Sequence, residues 1–385
     1  MSPPAVQHPG ERRWETRLLG VITVTLTTLG IASVYSAAPL RENAMNLALS
    51  QVSGALAGGV LLVIASRVDY ARWRPYAWPL LGVVLVALLI LLLPFTIGIS
   101  PPRNGARRWL MMGPLSFQPS EAARFAIVLW AAALAAKKGA QVREFKKGVL
   151  PFLVVFGTVS LMVLGQPNLS MATMLALLGG VVLFTAGAKV GQFILLGLAA
   201  GLIVLRKVLD TGYRNERLLA FLNPEGTQGD AGYQVYQSLV GLGNGGFFGV
   251  GFGQGQQKLN YLPEGYSDFI FSAIGEEWGF LGTFLIALLF AVFCWLGFRI
   301  ARTAREPFGQ YLATGLTAGV GITAFMHMAV NLSLMPATGL PLPFMSHGRS
   351  SLIINLLAVG VILSVGRVRG KAARSEKREV RSEKG

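Results

Sequence analysis

The sequence contains very little cysteine and histidine. Cys294 is its one cysteine and lies within an apolar run, so the chain cannot form a disulfide bond with itself. His8, His327 and His347 are the three histidines, and they lack the spacing of metal ligands. We therefore expect neither a disulfide scaffold nor a resident metal centre.

Charged residues are also scarce, at 14% of the 385 positions, whereas hydrophobic residues make up 53%. Soluble domains carry about 25% charged residues, so this composition indicates that lipid is the main solvent. The chain is nevertheless basic, with 34 Lys and Arg, 18 Asp and Glu, and a net charge of +16. It lacks a GxxxxGK[ST] phosphate loop, so nothing in it supports a reaction driven by a nucleotide.

Hydrophobic runs that could cross a bilayer recur along the chain. One crossing needs about twenty apolar residues. Ten runs approach that length, at about 18–38, 47–66, 76–97, 120–136, 149–165, 170–187, 190–208, 269–298, 311–334 and 350–366. The sequence therefore predicts an all-α polytopic integral membrane protein with about ten transmembrane helices. Only a short turn around Lys189 separates the sixth and seventh runs, so nine is the alternative count.

The distribution of basic residues predicts the orientation. With ten helices and a cytoplasmic N-terminus, the inside segments hold 23 of the 34 Lys and Arg residues. This bias follows the positive-inside rule and explains the net charge without nucleic acid as a partner. We expect a cytoplasmic segment at 1–17, a membrane domain at 18–366 and a cytoplasmic basic tail at 367–385. The tail mixes both signs without apolar periodicity, which predicts disorder.

Two predicted outside segments, about 98–119 and 209–268, are longer than simple connectors. The second contains GNGGFFGVGFGQG, and a loop of that length is usually functional or disordered. Its many aromatic residues favour a loop that packs on the membrane surface or folds back into the helix bundle. Functional chemistry is therefore predicted on the outer face.

The fourth hydrophobic run begins with a charged pair. In QPSEAARF, Ser120 is a candidate N-cap, and Glu121 and Arg124 stand three residues apart on one helical face. Charges within a membrane are costly, so they pair or line a polar cavity. Two interpretations stay open: a structural ion pair, or a cavity wall that binds an anionic head group.

An acid lies where the long loop becomes the eighth hydrophobic run. Asp268, in YLPEGYSDFIF, is predicted beside the outer membrane surface. The alternative to a chemical role is that Ser267 or Asp268 simply caps the helix. Glu276 and Glu277 lie two to three turns deeper, so at least one of them must face protein rather than lipid.

A proline-containing stretch precedes the last hydrophobic run. NLSLMPATGLPLPFMSHGRSSLIIN holds three prolines, which cannot continue a regular helix. Broken backbone at membrane depth is tolerated where it is buried or lines a cavity. We expect either a re-entrant wall with Asn331, Ser346 and Ser350 as its polar lining, or an ordinary outer loop.

Several motifs resemble one family of bacterial cell-wall polymerases. RRWLMMGPLSFQPSE, GYQVYQSL, GGFFGVGFG, KLNYLPEGYSDFIF, GEEWGFLG and TGLPLPFMSHGRSS are similar to the FtsW/RodA/SpoVE family, whose members are also called SEDS proteins. QKLNYLPE and the chain end after the last run favour FtsW over RodA. The resemblance implies a ten-helix fold and a peptidoglycan glycosyltransferase. Such enzymes polymerise lipid II at the outer face of the bacterial cytoplasmic membrane, here in cell division.

The resemblance also implies partners and site residues. The partners are lipid II, a class B penicillin-binding protein and other divisome or elongasome proteins. Asp268 matches the family's catalytic acid. The departing pyrophosphate needs cationic stabilisation, to which a divalent cation could contribute, and no other cofactor is expected. The substrate-binding candidates are Arg108, Trp109, Glu121, Arg124, Lys258, Glu264, Ser346 and Ser350.

The chain departs from the family pattern in three places. Arg124 stands where Lys is usual, and Asn168 and Ser170 replace the acid and glycine of QPDxGTA. His347 and Arg349 change SYGGSS to SHGRSS. These departures leave open an altered substrate, a different partner or a degenerate copy.

Two other functions remain as alternatives. One is a lipid II flippase, because buried charges and broken helices also mark transport pathways. The other is a non-catalytic scaffold for a penicillin-binding protein.

Overall fold

The computed structural model describes residues 13–38, 44–93, 96, 98–102, 106–113, 115–194, 197, 201, 221, 230–259 and 261–382. Nearly all regular structure in these residues is helical. The described strands, β1 (Leu110–Met112) and β2 (Leu115–Phe117), form one short antiparallel hairpin.

The described α-helices differ in length and in the length of the segments that connect them. In chain order they are α1 (Arg13–Ala37), α2 (Ala44–Arg67), α3 (Ala77–Leu92), α4 (Pro119–Lys138), α5 (Leu150–Leu164), α6 (Leu169–Thr185), α7 (Asp230–Gly245), α8 (Ile270–Arg302), α9 (Pro307–Asn331) and α10 (Arg349–Ser382). A 3₁₀-helix (Tyr70–Tyr76) joins α2 to α3. A 3₁₀-helix (Gly139–Arg143) and a π-helical turn (Phe145–Val149) join α4 to α5.

Most of these helices can span a bilayer. Among the described residues, eight helical segments are long and apolar enough to do so, in α1 to α5 and α8 to α10, and the apolar α6 is shorter, at Leu169–Thr185. The chain is therefore an all-α polytopic membrane protein, as the sequence predicts. The predicted run at 190–208 lies largely outside the described residues, so the count of ten stays a prediction.

Helix α4 lies at the centre of the bundle. It is buried on nearly all sides, which is expected of a helix whose middle is apolar all round and whose charged pair, Glu121 and Arg124, lies near one end. Its Trp130 packs edge-on against Trp78, Phe152 and Phe156, which connects α4 to α3 and α5. Gly315 lets α9 approach closely, since a Cβ there would lie 2.5 Å from Val128 Cγ1. This tight packing fixes the helices that carry the polar residues described below.

The long segment between α6 and α8 contains a helix of its own, α7. One face of α7 buries Val235 and Ser238, whereas Tyr233, Tyr236 and Leu239 are exposed on the other. Of the predicted loop, residues 209–220, 222–229 and 260 lie outside the described residues.

The glycine-rich segment (residues 243–255) folds back into the bundle, one of the two arrangements predicted from the sequence. It fills a break in α8 at Gly279, whose φ is 67° and ψ is −163°. Such a break leaves buried backbone groups without partners in their own helix, and each of them needs another partner. Four hydrogen bonds supply those partners: Val250 N to Glu276 O, Gly251 N to Glu277 O, Phe280 N to Gly246 O and Leu281 N to Phe247 O.

Two boundaries differ from the prediction. Helix α4 begins at Pro119 with Gln118 as its N-cap, so Ser120 lies in the first turn and is not the cap. Proline is favoured at this first position because its missing N–H has no partner there in any case. Helix α10 continues through the basic tail to Ser382, where the sequence predicts disorder. The tail is rich in Ala, Arg, Glu and Lys, which all favour helix.

Candidate active site

Asp268 lies in a tight turn immediately before α8, which we name the acid turn (residues 264–268). The N–H groups of Ser267 and Asp268 donate to the carbonyl of Glu264, at 2.9 and 3.0 Å. Glu264 is exposed and has a φ of 56°, which is uncommon for a residue with a side chain. This closed turn ends in Asp268, whose side chain is half-buried.

Asp268 does not cap the helix that follows it. Helix α8 begins at Ile270 with Phe269 as its N-cap and without a side-chain cap hydrogen bond. The capping alternative for Ser267 and Asp268 is therefore wrong. Instead, Asn331 Oδ1 of α9 accepts the first-turn N–H of Ser272, at 3.0 Å. The acid turn is thus oriented by tertiary contacts rather than by helix capping.

The segment between α9 and α10 packs directly on the acid turn. Ser346 Oγ donates to the carbonyl of Ser267 at 2.6 Å and accepts the N–H of Leu342 at 2.8 Å. The N–H of His347 donates to the carbonyl of Tyr266 at 3.1 Å. Leu340, Leu342, Phe344 and Met345 of this segment are buried. This burial favours the predicted re-entrant wall over an ordinary outer loop, and the depth of the segment in a membrane stays a prediction.

Helix α2 holds this wall through one side chain. Gln51 Nε2 donates to the carbonyl of Ser346 at 2.9 Å, and Gln51 Oε1 accepts the N–H of Gly348 at 3.2 Å. Gln51 is fully buried and was not among the predicted site residues. Its signal in the sequence is a large polar side chain within an apolar transmembrane run.

His347 lies in the same wall, outside the membrane-spanning helices. Burial lowers the pKa of its imidazole, and the nearby Arg349 guanidinium lowers it further. The ring of Tyr266 packs edge-on against it, with 5.8 Å between the ring centroids. The imidazole is therefore held in its neutral form beside the acid turn.

The predicted pair on α4 is an ion pair. Arg124 Nη2 lies 3.0 Å from Glu121 Oε2, and both side chains are buried. The guanidinium also donates to Thr323 of α9 at 3.1 Å and to Asn355 of α10 at 3.2 Å. A cavity of about 20 Å³ beside Arg124 has room for one water. This geometry favours the structural ion pair over a cavity wall, and a role in substrate binding stays a prediction.

The ion pair and the acid turn contact the same face of α9. Thr323 contacts Arg124, and Asn331, eight residues further along the helix, contacts Asp268. Eight residues correspond to roughly 12 Å along a helix axis. The structure therefore places Asp268 and Arg124 at two different depths of one bundle rather than in one contact cluster.

The segment between α3 and α4 joins this region through its hairpin. Ser350 Oγ accepts the N–H of Gln118 at 3.2 Å and donates to the carbonyl of Ser116 at 3.3 Å. Arg108 donates to the backbone carbonyls of Gln166 and Pro167, between α5 and α6. Trp109, the next residue, is half-buried.

Lys258 and two buried acids anchor the glycine-rich segment. Glu276 accepts the N–H groups of Gln256 and Gln257, at 3.0 and 3.1 Å. Glu277 accepts the hydroxyl of Ser36 at 2.6 Å, and Lys258 Nζ lies 3.9 Å from Glu277 Oε1. Both acids face protein, as the sequence predicts for at least one. The contacts of Lys258 are structural, and its predicted role in substrate binding is untested.

Comparison with known proteins identifies clear relatives. The chain matches the family model of the FtsW/RodA/SpoVE cell cycle proteins over residues 16–371. A probable peptidoglycan glycosyltransferase FtsW of Geobacter sulfurreducens is 39% identical over 350 residues, which cover 90% of this chain and 93% of that protein. The stage V sporulation protein E of Bacillus subtilis is 37% identical over 355 residues, which cover 91% and 96%.

Solved structures show the same architecture. A chain from a peptidoglycan synthase complex that coordinates polymerization and crosslinking is 27% identical, with a TM-score of 0.75 over 91% of this chain and 97% of that chain. The crystal structure of the rod shape determining protein RodA of Thermus thermophilus is 26% identical, with a TM-score of 0.67 over 91% and 96%.

Proposed function

The chain belongs to the FtsW/RodA/SpoVE family of cell cycle proteins, and from that premise we propose that it is a peptidoglycan glycosyltransferase that polymerises lipid II. One observation carries the catalytic assignment. Asp268 sits at the end of a closed turn that is built on tertiary contacts, and it does not cap α8. A carboxylate placed in this way is suited to act as a base.

In the proposed reaction, Asp268 accepts the proton of the acceptor's sugar 4-hydroxyl. The oxygen attacks the anomeric carbon of the donor, and the bond from that carbon to undecaprenyl pyrophosphate breaks. A glycosidic bond forms, the pyrophosphate leaves with the bonding electrons, and the proton stays on Asp268 until solvent removes it. Proton abstraction by a positioned carboxylate typically contributes about 10²–10⁴-fold to a rate.

The leaving pyrophosphate needs positive charge. Arg108 on the outer loop, Arg349 at the start of α10 and Lys258 are half-buried cations that could supply it. Arg108 contacts the carbonyls of Gln166 and Pro167, and Lys258 contacts Glu277 and the carbonyl of Gly253, so binding would require these contacts to be shared or exchanged. A divalent cation would add charge, with the pyrophosphate oxygens as its main ligands. No three His, Cys, Asp or Glu side chains cluster as metal ligands in the described part of the chain.

The proposal includes a location and partners. The protein would span the bacterial cytoplasmic membrane many times, with both termini in the cytoplasm and the acid turn outside, because basic residues concentrate in the predicted inside segments. Its partner would be a class B penicillin-binding protein that cross-links the new strands, together with other divisome or elongasome proteins. The structurally similar synthase complex and the FtsW relatives support this assembly and a role in division.

A lipid II flippase is the second candidate. The broken helix α8 and the buried acids beside the break favour it, because transporters place substrates at discontinuous helices.

An assay with purified protein distinguishes the glycosyltransferase from the flippase. With lipid II and a class B penicillin-binding protein in detergent, we expect glycan polymer whose formation needs no nucleotide. Polymer absent from this mixture, combined with transfer of lipid II across vesicles that contain the protein, would instead support the flippase.

A further inference from the structure

A buried polar hub lies behind the acid turn. It consists of Ser238 of α7, Ser272 of α8 and Asn331 of α9, each with 0% of its surface exposed. Ser238 Oγ donates to the carbonyl of Asn331 at 2.9 Å, and Ser272 Oγ donates to the carbonyl of Ser238 at 2.5 Å. Burying a polar group is costly unless it is hydrogen-bonded, so these contacts hold the three helices in one arrangement.

Asn331 uses both ends of its side-chain amide. Its Oδ1 accepts the N–H of Ser272 at 3.0 Å. Its Nδ2 donates to the carbonyl of His327 at 2.9 Å and to the carbonyl of Asp268 at 3.3 Å. An amide offers two donors beside its acceptor, a combination that neither a carboxylate nor an apolar side chain of this size supplies.

We propose that Asn331 is a positioning residue for Asp268, an inference that rests on the proposed function. Asn331 ties together its own helix, the first turn of α8 and the backbone of Asp268, so it sets the position of the acid turn relative to the bundle. Displacing a reacting group by about 1 Å can cost on the order of 10²-fold in rate. Without Asn331, the carboxylate would remain chemically intact but poorly placed.

The acid turn is thus held at two adjacent carbonyls. Ser346 donates to the carbonyl of Ser267 from one side, and Asn331 donates to that of Asp268 from the other. Both anchors act on backbone atoms, so they orient the turn without using the carboxylate of Asp268 as their acceptor.

The test compares Asn331→Ala with Ser238→Ala in the full-length protein. Ser238→Ala removes a hub hydrogen bond to Asn331 but no contact with the acid turn, so it controls for stability. Lipid II polymerisation with the penicillin-binding protein is measured alongside the melting temperature. We expect Asn331→Ala to lower kcat about tenfold to 100-fold with KM changed less than about twofold. Ser238→Ala should change kcat less than about twofold.

If Asn331→Ala does not fold, Asn331→Ser replaces it. Serine can donate a hydrogen bond to a carbonyl of its own helix but cannot reach the carbonyl of Asp268.

The Asp268→Asn background separates positioning from a general structural role. If Asn331 acts through Asp268, its substitution should cost little further residual activity there, because effects within one unit are not additive. An unchanged kcat for the folded Asn331 variant, an equal loss in Ser238→Ala, or a full further loss in the Asp268→Asn background would overturn the inference alone. Normal polymerisation by Asp268→Asn would overturn the proposed function and this inference with it.

Discussion

At the scale of single residues, Gly339 lies next to the Asp268 carboxylate and leaves room for it, because glycine has no side chain. Gly339 has a φ of 64°, and a Cβ there would lie 3.3 Å from Asp268 Oδ2. A substitution at Gly339 therefore combines backbone strain with crowding of the proposed base.

We expect Gly339→Ala to reduce lipid II polymerisation about two- to fivefold, since the Cβ would displace the carboxylate by only a few tenths of an ångström. Gly187→Ala is the matched control. Gly187 also has a positive φ, 92°, but a Cβ there meets nothing within 4 Å. Both variants should lose about 1–2 kcal/mol of stability from the left-handed backbone. Equal activity in the two variants at matched folded yield would show that crowding of Asp268 does not matter.

His347 predicts a pH dependence of stability. Its pKa in the folded protein is below the ordinary value of 6.5, whereas the unfolded chain regains that value. The unfolded state therefore binds more protons as the pH falls below about 6.5, and the free energy of unfolding decreases there. Above that pH, both states are neutral at this residue and its contribution is constant.

The corresponding measurement is the melting temperature in detergent between about pH 7.5 and pH 5.5. The wild type should lose more of its melting temperature over this interval than His347→Gln, which cannot be protonated. Parallel curves for the two proteins would mean that His347 does not carry the pH dependence.

Residue spacing predicts local contacts well and distant ones poorly. The ion pair of Glu121 and Arg124 follows from a separation of three residues on a helix. The partners of Ser346 and Glu277 could not be predicted, since Gln51 is 295 positions from Ser346 and Ser36 is 241 positions from Glu277. Such pairs depend on how the helices assemble, which one sequence does not show.

At the scale of elements, helices are predictable because lipid leaves the backbone no other partner than itself. Their ends depend on contacts made after the bundle forms. Helix α8 is the clearest case, since its first turn is capped by Asn331 from α9 and its break at Gly279 is filled by the glycine-rich segment. Hydropathy shows one continuous run at this place, so neither feature could be derived from it.

The contact of α4 with α9 and α10 gives a prediction at this scale. Glu121→Ala leaves the Arg124 guanidinium buried without its counter-ion, which typically costs about 3–5 kcal/mol. Arg124→Lys keeps a cation but loses the fork that reaches both Thr323 and Asn355, so it should cost only about 1–2 kcal/mol. Chemical denaturation of the two purified variants and the wild type measures both values. A Glu121→Ala variant as stable as the wild type would contradict the structural ion pair.

At the scale of the whole molecule, the charge distribution predicts which loops face the cytoplasm and which face outward. Single cysteines at the exposed Gln141 and Gln254, in a Cys294→Ala background, should be labelled from opposite sides by an impermeant thiol reagent. The cysteine at position 254 should react in intact cells or spheroplasts, and the cysteine at position 141 only after the membrane is opened. Labelling of both positions from outside would contradict the ten-helix topology.

We propose Asp268 as the catalytic base at the outer face, and Asp268→Asn removes that base while it keeps the shape of the side chain. Asparagine has nearly the same size and does not disturb a cap, because Asp268 does not cap α8. Fold, membrane insertion and partner binding should therefore survive. The amide cannot accept the proton, so a loss of about 10²–10⁴-fold is expected. Glu144→Gln, at an exposed acid of the α4–α5 connection, is the control and should retain full activity.

The measurement is lipid II polymerisation by the purified variants, each with the penicillin-binding protein and matched for folded yield. We expect glycan polymer from the wild type and Glu144→Gln, and almost none from Asp268→Asn. Polymer from Asp268→Asn at near wild-type rates would exclude Asp268 as the catalytic base.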